Sequence, residues 1–110
     1  MSDIAYTVTC TFTEGAVADE WVVWLRDEHL ADVFAGGATE AEIVRCDDVP
    51  DGAAARLEVR YRFPSRSAFE AYVRDHAPRT RAAGLARFPL ERGLSYGRSV
   101  GVVIVSSRAG

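Results

Sequence analysis

Ala55-Arg56-Leu57-Glu58-Val59-Arg60-Tyr61-Arg62-Phe63-Pro64 is the stretch that decides the fold. Apolar and charged residues alternate along it with a period of two, the pattern of a β-strand with one buried face. Pro64 stops the strand, because it has no N–H to continue a ladder. Ser65 or Ser67 then caps a helix, and Ser67-Ala68-Phe69-Glu70 has capping-box spacing. Phe69, Tyr72 and Val73 form the buried stripe of that helix, which runs to about His76 and is interrupted by Pro78. A shorter helical segment over 79–87 leads into a last strand over 94–105. Its run Val100-Gly101-Val102-Val103-Ile104-Val105 is apolar on both faces and calls for cover on both sides or a partner at its edge.

Upstream, Asp47-Asp48-Val49-Pro50-Asp51-Gly52 is a turn cluster, and residues 39–46 read as a strand leading into it. Gly36-Gly37 ends a helix over 17–34 that carries Asp19 and Glu20 in its first turn, where the helix dipole favours acids. Residues 4–12 alternate again, with Ile4, Tyr6, Val8, Cys10 and Phe12 on one face and threonines on the other. The order β-α-β-β-α-β is the ferredoxin-like, split βαβ arrangement. It predicts an α+β fold with a four-stranded antiparallel sheet and two main helices on one face, in a single domain spanning 1–110.

With 48% hydrophobic and 26% charged residues the balance is globular, and no apolar run is long enough to span a membrane. The first ten residues go straight into strand alternation rather than a signal-peptide pattern. Cys10 and Cys46 are isolated, and Cys10 sits on the apolar strand face, so reduced thiols and a cytoplasmic location are expected. The net charge of −3 is unevenly divided: residues 1–51 carry −10 and residues 52–110 carry +7, with arginine the only basic residue besides two histidines. Either the two halves intermingle on folding, or they pair acidic to basic between two copies. Overall acidity and the lack of interleaved aromatics in the basic half argue against nucleic acid as a partner.

The two histidines carry the functional reading. His29 falls on the stripe of Val17, Trp21, Leu25 and Val33, and at about 100° per residue Glu28, His29 and Asp32 all lie within the arc of the buried face. Polar groups there are paired, solvated where the helix overhangs the sheet, or functional. A histidine flanked by carboxylates can serve as a general base, which makes His29 the catalytic candidate and Glu28 or Asp32 its orienter. The spacing would also permit a metal, but no zinc pattern is present, and neither a metal nor a cofactor is assigned. His29 is expected to be at least partly buried and hydrogen-bonded to an acid or a backbone carbonyl.

His76 closes its helix, either satisfying free carbonyls or facing a pocket. Antiparallel helices would put the C-terminal ends that bear His29 and His76 at opposite ends of the sheet. Arg74, Arg79, Arg81 and Arg87 cluster around the Pro78 break. They form either a solvated face or a grip for an anionic group, for which Arg79 and Arg81 are the candidates. Trp21, Tyr72 and their aromatic neighbours either fill the core or line a ligand cavity between helices and sheet.

Trp21-Val22-Val23-Trp24-Leu25-Arg26-Asp27-Glu28-His29, then Tyr72-Val73-Arg74-Asp75-His76-Ala77-Pro78-Arg79-Thr80-Arg81, then Arg87-Phe88, resemble the bacterial family called domain of unknown function 4286 over nearly the whole chain. The family has no established activity. The resemblance implies kinship with the dimeric α/β-barrel superfamily, and with it a homodimer. The expected function is therefore that of a dimeric-barrel type of protein that binds or transforms a small, partly aromatic or anionic molecule in a cleft between helices and sheet. The alternative is a non-catalytic ligand-binding or protein-interaction module.

Overall fold

The computed structural model describes residues 2–110. Strands β1 (Ile4–Phe12), β2 (Glu40–Arg45), β3 (Ala55–Phe63) and β4 (Leu94–Val102) form one sheet in the order β2-β3-β1-β4, every neighbouring pair antiparallel. The ferredoxin-like α+β expectation holds. Cross-strand partners fix the faces. Cys10 lies opposite Leu57 and Tyr96, and Ile4 opposite Phe63 and Val102, on the face toward the helices. The threonines of β1 and the Arg/Glu ladder of β3 share the other face.

The first crossover is helical from Gly15 to Ala35, but it is not one uniform helix. It consists of α1 (Gly15–Trp24), a π-helical turn (Leu25–His29) and α2 (Leu30–Ala35). In the turn the Leu30 N–H donates to the Leu25 carbonyl, five residues back rather than four. Because α1 starts at Gly15, Asp19 and Glu20 lie beyond its first turn, and its N-cap Glu14 makes no side-chain cap bond. The second crossover is α3 (Arg66–Asp75), α4 (Ala77–Arg87) and a short 3₁₀ turn, Leu90–Arg92. The Ser65 hydroxyl accepts from the Ala68 N–H at 3.1 Å and opens α3. Pro78 does not delay the next helix. It sits in the first turn of α4, where no N–H is needed, so that helix starts at Ala77.

Trp21, Phe12, Phe63, Phe88, Ile4, Leu25 and Leu57 are fully buried between helices and sheet, each worth roughly 1.5–3 kcal/mol of burial. Val73 is not among them. Its side chain faces outward, 38% exposed, so only Phe69 and Tyr72 of the expected α3 stripe are buried. The charge asymmetry is resolved within the chain. Arginines of the second half pair with acids of the first in Arg62–Asp3, Arg60–Glu42, Arg87–Glu28 and Arg92–Glu20.

Two further expectations fail. The strand expected to reach residue 105 ends at Val102, because its partner β1 begins at Ile4 and only one further bond, Val103 N–H to the Asp3 carbonyl, can form. The C-terminal ends of α2 and α3 also do not lie far apart. A Cβ placed on Gly36, just after α2, would come within 3.0 Å of the His76 Cγ. The reason is that α3 stops after ten residues and α4 completes the crossover, so the end of α3 stays beside the end of α2.

Candidate functional site

A cavity of about 440 Å³ lies between the helices and the sheet, walled by Tyr6, Trp24, His29, Tyr72 and Tyr96 among others. Sequence accounts for the space. The residues α4 buries are Ala77, Thr80 and Gly84, none large enough to fill the gap over Tyr6 and Val8, whereas α1 buries Trp21 and Trp24 opposite. Gly84 sits against the Trp24 indole, where a Cβ would meet the ring edge at 3.4 Å.

The π-turn builds one wall. Residues five apart on an α-helix point away from each other, since neighbours on one face are three or four apart. The extra residue in the turn brings His29 round onto Trp24, and their rings stack with centroids 4.4 Å apart and planes 24° from parallel. Phe88 backs Trp24 from another side at 5.5 Å. His29 is half-buried, as expected, but it is not hydrogen-bonded as expected. Its Nδ1 is buried with no partner among the described residues. Burial holds its imidazole below the usual 6.5, with the Asp32 carboxylate pulling weakly the other way, so His29 is neutral at pH 7.

The opposite wall is phenolic and cationic. The Thr80 hydroxyl donates to the Ala77 carbonyl at 3.2 Å, so the Tyr72 hydroxyl, 3.1 Å from Thr80 Oγ1, is the donor of that pair. Arg81 Nη2 donates to the Tyr6 hydroxyl oxygen at 3.4 Å, which leaves the Tyr6 proton unassigned. Arg98 projects from β4 into the lining, its guanidinium carbon 5.8 Å from the Tyr96 ring centre. Burial raises the phenols of Tyr61, Tyr72 and Tyr96, the last to about 12, so all three are protonated at neutral pH. Burial likewise pushes the Cys10 thiol up to about 12 and makes it an unreactive packing group.

Of the residues singled out from sequence, His29, Trp21, Tyr72 and Arg81 meet in this cavity. The others do not. Glu28 is exposed on the outside of the π-turn, where its carboxylate takes Arg87 Nη1 at 3.3 Å, so it does not orient His29. Asp32 is half-exposed and acts on His29 only through space. Arg79 is exposed and outside the lining. His76 stands behind the wall. Its ring lies parallel to Tyr72 at 6.4 Å, its Nδ1 is buried and unpaired, and its side chain makes no capping bond to the helix ends that its backbone joins. Among the described residues no three His, Cys, Asp or Glu side chains gather as metal ligands would. Sequence reasoning missed Arg98, although the alternation Leu94-Tyr96-Arg98-Val100-Val102 sets it on the helix side of the sheet.

The model of the domain of unknown function DUF4286 matches residues 3–95. The chain belongs to that family. No curated protein matches the sequence at a significant level. Among solved structures, the fold is similar to that of a dimeric ferredoxin-like protein from an uncultured marine organism, with TM-score 0.73, 13% identity, and 97% of this chain and 100% of that one covered. A dimeric ferredoxin-like protein of unknown function from Thermobifida fusca is similar at TM-score 0.62, with 16% identity and 93% and 92% coverage. SnoaB from Streptomyces nogalater, described as a cofactor-independent oxygenase, is similar at TM-score 0.64, with 15% identity and 96% and 97% coverage. At these identities the likeness is one of fold. It agrees with the ferredoxin-like fold read from the sequence.

Proposed function

We propose that this DUF4286 protein binds a small, partly aromatic molecule in the cavity between α4 and the sheet. The observation that carries the reading is the Trp24–His29 stack, built by the π-turn onto the wall of a 440 Å³ space that the small residues of α4 leave unfilled. π-turns inside helices are frequent at functional sites, and a volume near the low end of the 300–1,000 Å³ range suits a metabolite-sized ligand. The free thiols of Cys10 and Cys46 fit a reducing compartment such as the cytoplasm, and no helix among the described residues is long and apolar enough to cross a membrane.

A homodimer is part of this reading. The helix side of β4 is left uncovered: Val100 and Val102 are 45% and 46% exposed, and Ile104 and Val105 beyond them are 86% and 78% exposed. A second copy is the occupant that the dimeric neighbours suggest for this strip. Light scattering on a sizing column should give twice the 12.0 kDa chain mass at micromolar concentration, and a monomer mass contradicts the dimer.

A catalytic role is the second reading, favoured by one observation. His29 borders the cavity with its Nδ1 unpaired, and burial favours the neutral ring, the form that accepts a proton. It would act without Glu28, which Arg87 holds. Binding is tested by native mass spectrometry of protein purified from its own host, with Gly84→Leu as the control. Leucine at 84 favours the helix and fills the cavity beside Trp24. A bound small molecule in the parent and none in the folded variant supports the reading. A mass adduct retained in the variant, or none in either, contradicts it.

A further inference from the structure

Resting on that ligand-binding reading, we infer that the molecule is a planar aromatic carboxylate, its ring set against Trp24 and His29 and its carboxylate held by Arg81, Arg98 and the Tyr6 hydroxyl. The cavity has two unlike ends. Around Trp24 it offers flat apolar surface, including the His29 ring, Leu25 and Leu85. At the other end are two guanidinium groups that lack what their siblings have. Arg26, Arg45, Arg56, Arg60, Arg62, Arg74, Arg87 and Arg92 each sit within 4.0 Å of a carboxylate; of the five arginines that do not among the described residues, Arg81 and Arg98, both solvent-reaching, are the two that line this cavity.

Among the described residues no acidic side chain lines the cavity. Two guanidinium groups that converge on one cavity whose lining holds no carboxylate mark a place where the anion is to come from outside.

The hydrogen-bond directions sharpen the choice of anion. The Tyr6 oxygen accepts from Arg81, so its own proton is free to donate, whereas the Tyr72 proton is committed to Thr80. The free donors at this end therefore include two guanidinium forks and the Tyr6 phenol. That set suits a flat, singly charged acceptor with two oxygens, since a guanidinium meets a carboxylate edge to edge.

2-Naphthoate and the isosteric, uncharged 2-naphthamide separate the parts of this inference when titrated against the intact protein by calorimetry. The parent should bind naphthoate about tenfold or more tightly than naphthamide, since charge-assisted hydrogen bonds are roughly twice as strong as neutral ones. Arg98→Gln and Arg81→Gln should each weaken naphthoate several-fold and leave naphthamide unchanged, and the naphthamide affinity reports that the variant is folded. Arg66→Gln, on the exposed first turn of α3, should leave both probes unchanged. Equal affinity of the parent for the two probes overturns the carboxylate assignment and leaves the binding reading standing, as does a naphthoate preference that survives in both Arg81 and Arg98 variants. Failure of both probes to bind overturns the two together.

Discussion

His29→Phe separates what the His29 ring packs from what its nitrogens do. Phenylalanine keeps a flat ring against Trp24, where the imidazole now stacks at 4.4 Å, and its extra ring atom has the cavity to enter. The substitution removes Nδ1, which is buried without a partner. An unsatisfied buried polar atom costs about 1–3 kcal/mol. His29 is only partly buried, so the low end applies, and the variant should be about 1 kcal/mol more stable than the parent at pH 8. For a chain of this size that is a rise in Tm of about 4 °C.

The gain should grow in acid. Burial depresses the His29 pKa below 6.5, so near that value the unfolded chain binds more protons than the folded one. The stability that the neutral ring contributes is complete above 6.5 and drains away as the pH falls through the folded value. Phenylalanine does not titrate, and every other ionisable group is common to both proteins. Urea unfolding followed by far-ultraviolet circular dichroism at pH 8, 7, 6 and 5 measures the gap. A variant less stable than the parent at pH 8 would refute the unpaired nitrogen. A gap that stays constant down to pH 5 would refute the depressed pKa.

Gly36→Ala should destabilise the fold by about 1–3 kcal/mol in the same urea assay. The backbone there accepts alanine, but the new Cβ would lie 2.7 Å from Tyr72 Cδ1 and 3.0 Å from the His76 Cγ, two rings that pack on each other. Thr80→Val keeps the shape of a fully buried side chain while stripping the Tyr72 hydroxyl of its acceptor and the Ala77 carbonyl of a donor. It should cost about 1–3 kcal/mol by thermal unfolding. Glu28→Gln, by contrast, breaks only an exposed ion pair with Arg87, and calorimetric unfolding at low salt should show a loss under about 1 kcal/mol. A larger loss would mean that Glu28 does more than tie the π-turn to α4.

The strands were legible because period-two alternation has one interpretation. β3 was bounded to within a residue, and the Ser65 cap followed from the Pro64 stop. The site was legible only in part, and its failures share a cause. A π-turn needs no particular residue type, so nothing in Leu25–His29 announces it. A uniform 100° wheel therefore put Glu28, His29 and Asp32 on one arc, whereas the inserted residue turns His29 onto Trp24 and leaves Glu28 outside with Arg87. The break near Pro78 and the helical segment after it are there, but that α4 already begins at Ala77 and that its small residues leave the cavity open are matters of packing that the sequence pattern does not carry. Arg98 could have been found. It holds an inward position of β4, but the apolar run that follows it drew attention to the strand end, where the sheet no longer offers a partner.

The chain holds just two histidines, one on the cavity and one behind its wall, and that makes the central claim directly measurable. Long-range proton–nitrogen NMR spectra show one imidazole pattern for each, assigned with His29→Phe. Titration with 2-naphthoate should shift the His29 ring resonances saturably, because the ligand lies against that ring, and leave the His76 pattern nearly in place. An unmoved His29 pattern at saturating ligand, or a shift confined to His76, would contradict a binding site in this cavity.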